Sequence, residues 1–197
     1  MEIPQDRFPE IMDILGEDTR TVIPFHFLIR RNARVWADEP LDNIIIEIDT
    51  PSPMLFIFGE NSGWQADQVS EIRLQELYWC PLDTAAALME VIQPRHQRRM
   101  IFEPDIQRTT QTHVQIPPPD GAEIRRLTLA DLEIVERTSE ELDWLFRAWG
   151  SWREAIDNGI VVAAIEDGAM VSVALTFARA RRLDDIGIGT AEAYRRR

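Results

Sequence analysis

Two groups of residues near the C-terminal end have side chains suited to chemistry. The acidic pair Asp184-Asp185 opens the apolar run Ile186-Gly187-Ile188-Gly189-Thr190, and Arg195-Arg196-Arg197 follows it. Such groups offer proton transfer and anion binding, although three arginines taken without the preceding run read better as an unstructured basic tail. Other reactive types are sparse. His26, His96 and His113 are scattered, with no pair at metal-ligand spacing on a helix face, so no metal is expected. Cys80 is the single cysteine, which excludes an internal disulfide and any multi-thiolate zinc or iron–sulfur site. Beside Trp79, with no base or positive field nearby, it reads as a core residue rather than a nucleophile. The chain has no lysine, so Schiff-base chemistry, pyridoxal phosphate attachment and a P-loop lysine are excluded.

The elements that must position these residues fall into two regions. Ile116-Pro117-Pro118-Pro119-Asp120-Gly121 interrupts any helix or central strand, because three prolines remove three backbone donors. An N-terminal domain over 1–116, a Pro-rich linker over 117–121 and a second domain over 122–197 are expected. In the first, Phe8 to Leu15 reads as a helix stopped by Gly16. Strands are expected at His26–Arg30, Arg34–Ala37, Ile44–Ile48 and Met54–Phe58, each β-branched or aromatic and bounded by turn formers, which together suggest an antiparallel meander. Thr84 to Ile92 carries an apolar stripe at helical spacing.

In the second region, Ala122 to Leu127 reads as a strand, followed by Thr128-Leu129-Ala130-Asp131 as a capping box. A further helical stretch carries Leu142, Leu145, Phe146 and Trp149, and Asn158-Gly159 stops the helical run that begins at Ser151. Strands Ile160–Ile165 and Ala169–Ala178 flank Glu166-Asp167-Gly168, a strong hairpin signal. The last strand is Ile186–Thr190. The fold class expected is α+β.

Composition bounds the function. The chain has 197 residues, 45% hydrophobic, with 34 acidic against 21 basic side chains and a net charge of -13. That acidity disfavours nucleic-acid binding and suits a cationic substrate or partner. No apolar run approaches a membrane span and the N-terminus lacks a signal peptide, so a cytoplasmic protein with no membrane partner is expected.

The order of strand, helices, strand, hairpin and strand running into an arginine-rich turn resembles the first half of a GNAT-type N-acetyltransferase domain. A wider resemblance is to a prokaryotic GNAT subfamily with an extra N-terminal β-containing domain. It rests on Arg34-Val35-Trp36-Ala37-Asp38-Glu39-Pro40, Phe56-Ile57-Phe58-Gly59, Gly159-Ile160-Val161-Val162-Ala163, Val171-Ser172 and Asp185 through Arg195, in that order. The resemblance implies an N-terminal α/β meander domain followed by half of a GNAT fold with a mixed, mainly antiparallel sheet.

It also implies roles. Acetyl-CoA would be the co-substrate, and an amine would accept the acetyl group. Ile188, Gly189 and Thr190 would meet the pantetheine arm through their backbone. Arg195, Arg196 and Arg197 would begin the turn whose amides wrap the pyrophosphate. Asp185 would take the proton of the attacking amine. The chain stops before the first expected glycine of the Gly-x-Gly turn, so it is read as truncated, with weak or no acetyl-CoA binding and an open edge at the last strand inviting a homodimer. The alternative reading is a non-catalytic binding or interaction module with a degenerate GNAT half.

Overall fold

In the computed structural model the described residues are 1–48, 54–59, 76–79, 121–135, 137–138 and 140–195. The chain is α+β and divides into two compact units. One comprises Met1–His96 with Ala178–Asp185, the other Gln97–Phe177 with Ile186–Arg197. Of the segment expected to separate two domains, only Gly121 lies within the described residues, as does none of the Thr84–Ile92 helix expectation.

The first unit opens with β1 (Glu2–Ile3), a 3-10 turn and α1 (Phe8–Leu15), and continues through α2 (Val22–Ile29), β2 (Ala33–Ala37), β3 (Ile44–Ile48), β4 (Met54–Phe58) and β5 (Glu76–Trp79). Helix α1 buries Phe8, Ile11 and Met12 on one face. It stops at Gly16, whose φ of 66° suits a residue without a Cβ. The five strands lie in the order β1-β2-β3-β4-β5. β1 through β4 pair antiparallel, as a meander should, whereas β5 joins β4 in parallel. β3 is buried along its whole length, Glu47 included. Arg34, which lies over the Trp36 ring, stands 3.6 Å from the Glu47 carboxylate and gives that charge a partner.

The strand expected at His26–Arg30 is instead the second half of α2 with Arg30 as its C-cap. Seven of its eight residues, Val22 through Leu28, are buried, and a helix buried on every side shows no 3.6-residue stripe to distinguish it from a strand. Pro24 sits in the first turn, where its missing N–H would have had no helical partner.

The second unit holds β6 (Glu123–Arg126), a 3-10 turn leading into α3 (Leu132–Val135), a 3-10 stretch at Glu140–Phe146, α4 (Trp152–Asn158) and β7 (Val161–Glu166). Most of β8 (Ala169–Arg179) and β9 (Asp184–Thr190) follows, then a 3-10 turn at Glu192–Tyr194. The sheet order is β6-β7-β8-β9. β6 with β7 and β7 with β8 pair antiparallel. The β8–β9 connection, 180–183, is too short for a parallel crossover. A mixed sheet was expected here; among the described residues the parallel pair falls in the other sheet, between β4 and β5. Asp167 and Gly168 take φ values of 52° and 75° in the β7–β8 turn, as the Asp-Gly signal requires.

Among the described residues no helix is long and apolar enough to cross a membrane. None of their His, Cys, Asp and Glu side chains gather in threes at a spacing that could hold a metal.

Candidate functional site

Strand β9 carries most of the residues with candidate roles, and its two faces differ in kind. Ile186 and Ile188 are 57% and 67% exposed, so the face they share looks outward. Gly187 and Gly189 occupy the other face because side chains alternate along a strand. That face meets the Glu140–Phe146 stretch at close range. A Cβ on Gly187 would stand 2.8 Å from Leu145 Cδ2, and one on Gly189 would stand 2.7 Å from Leu145 Cδ1. The glycines therefore let a helical stretch sit directly on the strand. Trp144, itself partly exposed, tilts against Phe177 beside them.

The end of β9 is fixed by side chains. Ser172 Oγ donates to the Gly189 carbonyl at 3.0 Å and lies 2.8 Å from the Thr190 hydroxyl. A hydroxyl has one proton, so Thr190 is the donor of that second bond. The Ala191 N–H donates to Val171 O at 2.9 Å. Backbone groups alternate in direction along an antiparallel strand; those of Gly187, Gly189 and Ala191 accordingly face β8. The groups of Ile188 and Thr190 face the opposite edge, beyond which no further strand lies among the described residues. Arg195 reaches that edge, its Nε donating to Thr190 O at 2.8 Å.

The turn after β9 uses its amides internally. Tyr194 N–H donates to Ala191 O and Arg195 N–H to Glu192 O, at 2.9 and 3.2 Å. The Glu192 N–H donates to the Glu141 carboxylate at 2.8 Å.

The two acidic residues at the start of β9 part company. Asp184 receives a bidentate fork from Arg179, with Nε and Nη2 each 2.9 Å from a carboxylate oxygen. The same fork raises the pKa of Arg179 further. Asp185 is half-buried, on the same side of the strand as Gly187 and Gly189 by the two-residue period.

The structure thus gathers Ile188, Gly189, Thr190 and Arg195 at one strand end. Arg196 and Arg197 lie outside the described residues. Sequence reasoning did not single out Glu141 or Arg179, and it noted Ser172 only as part of a resembling segment. Ser172 and Glu141 act on residues 17 and 51 positions away, and no local pattern marks such pairs.

No protein-family model matches the chain, and no curated protein does. Solved structures do. A GCN5-related N-acetyltransferase-like protein from Streptococcus suis aligns with 96% of this chain and 78% of its own, with a TM-score of 0.67 and 16% identity. A Drosophila protein aligns with 98% of this chain and 69% of its own, with a TM-score of 0.48 and 12% identity. The first likeness, at that identity, is one of fold.

Proposed function

We propose that the protein is an N-acetyltransferase that uses acetyl-CoA and acts on an amine. The observation that carries the reading is the outward backbone edge of β9 at Ile188 and Thr190, with Arg195 folded onto it, in a chain whose fold is like that of a GCN5-related N-acetyltransferase-like protein. In this reading the pantetheine arm runs along that edge, and its amides exchange hydrogen bonds with Ile188 and Thr190. Gly189 contributes by having no side chain, which keeps the strand close to Leu142 and Leu145. Arg195, with Arg196 and Arg197, supplies positive charge toward the pyrophosphate.

The reaction requires a neutral amine. Its nitrogen attacks the thioester carbonyl, the C–N bond forms, the C–S bond breaks, and coenzyme A leaves as a thiolate. Asp185 takes the amine's proton, directly or through water. Between the two carboxylates, Asp185 is chosen on the family resemblance. The net charge of -13 favours the approach of a protonated, cationic acceptor.

A second reading is favoured by the turn itself. The amides of Glu192, Tyr194 and Arg195 are engaged within the protein, which suits a non-catalytic interaction module. Titrating 15N-labelled protein with acetyl-CoA separates the two. The acetyltransferase reading expects progressive shifts of the Ile188, Thr190 and Arg195 amide resonances, even at weak affinity. Resonances that stay in place up to millimolar acetyl-CoA would favour the interaction module.

A further inference from the structure

The tip of the β8–β9 hairpin groups with the N-terminal unit. Within itself it is closed by the Ala180 N–H donating to Leu183 O at 2.9 Å and by the Arg179–Asp184 fork. Three further backbone N–H groups of the tip are satisfied from far away in sequence. The Glu17 Oε1 accepts from the N–H groups of Arg182 and Leu183, at 2.6 and 3.0 Å. The His26 Nδ1 accepts from the Arg179 N–H at 3.1 Å.

His26 is buried, and Glu17 is half-buried as a residue with a largely covered side chain. The Glu17 side chain is 8% exposed and His26 is 2% exposed. Glu17 is also fixed through its backbone neighbours. It directly follows Gly16, where α1 ends, and the Gly16 carbonyl accepts from the Thr21 hydroxyl at 2.9 Å. A carboxylate accepting two amide protons makes charge-assisted bonds stronger than neutral ones. By contrast, the Asp13–Arg181 pair on the same tip is exposed, with 3.4 Å between its atoms, and adds little.

A hairpin needs no outside acceptors to close, so these contacts answer a different need. We infer that Glu17 and His26 are positioning residues: the N-terminal unit sets the conformation of the β8–β9 tip, and through it the placement of Asp184 and Asp185. The inference rests on the acetyltransferase reading only for the use made of Asp185; the clamp stands on its own geometry. The N-terminal region is then a support for the strand entrance that bears the acidic pair. A deletion there would act on Asp185 from more than 150 residues away, judging by the separations of the clamping bonds, 153 to 166 positions.

The test is amide hydrogen exchange and carboxyl 13C titration, read by NMR on the full chain. Glu17→Ala is expected to speed exchange at Arg182 and Leu183 by about tenfold or more, as loss of the amides' acceptor predicts, and to shift the titration of Asp185. Glu17→Gln keeps an acceptor oxygen without the charge and is expected to fall between the parent and Glu17→Ala in both. His26→Ala supplies a second, independent arm, with faster exchange at Arg179. A folded Glu17→Ala protein with unchanged tip exchange overturns the clamp. Faster exchange with an unmoved Asp185 titration overturns the positioning role. Should Glu17→Ala fail to fold, His26→Ala decides it at the Arg179 amide, where unchanged exchange overturns the clamp. A silent acetyl-CoA titration at Ile188 and Thr190 would fail the acetyltransferase reading and leave these results untouched.

Discussion

Leu145 lies over Gly189 so closely that a methyl group on the glycine would stand 2.7 Å from Leu145 Cδ1 and 2.8 Å from Leu142 Cδ2. Leu145 and Leu142 are almost fully buried, so neither has room to retreat. Glycine in a strand is ordinarily a weak choice, and alanine would normally improve it. Here the sign reverses. Gly189→Ala is expected to destabilise by about 1–3 kcal/mol through overpacking, lowering the thermal midpoint by about 2–4 °C per kcal/mol for a chain of this size. A calorimetric scan checks it; an unchanged or raised midpoint would show that the Leu145 contact is slack.

Asp131 ties β6 to the turn that follows. It accepts from Arg125 Nη2 at 2.8 Å and from the Thr128 N–H at 2.8 Å. The guanidinium first, and then the amide, hold its carboxyl well below the usual carboxylate range. A folded-state pKa below the unfolded value of about 3.9 contributes stability above that pH, and the contribution is lost as pH falls toward the folded value. Asp131→Asn should therefore lower the urea midpoint at neutral pH, and the gap from the parent should close as pH falls below about 4. A gap that stays constant with pH would contradict this account.

Ser172 anchors the end of β9 through its hydroxyl, which serves both the Gly189 carbonyl and the Thr190 hydroxyl. Ser172→Ala is expected to cost about 0.5–1.5 kcal/mol, the usual net worth of a hydrogen bond. The more telling readout is local. The Gly189 and Thr190 amide resonances should move while those of β6 stay in place, and the acetyl-CoA response at Thr190 should weaken with them.

Much of the local structure was legible before any tertiary information. Strands β2, β3 and β4 stand where β-branched and aromatic runs between turn formers put them. Helix α1 and the β7–β8 turn follow from Gly16 and from Asp167-Gly168, since residues at positive φ leave a mark on composition. Each of these rests on interactions within a few residues, and so a periodicity or a turn residue suffices to announce them.

Val22–Ile29 escaped that logic because burial on every side erases the period that would have told helix from strand. The parallel seat of β5 beside β4 is likewise a choice of partner, and a strand's sequence does not name its neighbour. The candidate site divides along the same line. The run from Asp184 to Thr190 could be read as a strand with an acidic entrance. What could not be read was the fork that takes Asp184, the glycine face that receives Leu145, or the carboxylate of Glu17 on the tip amides. Those contacts join residues brought together only when the chain folds, and they persist because a buried N–H or carboxylate left without a partner costs more than the ordering needed to supply one.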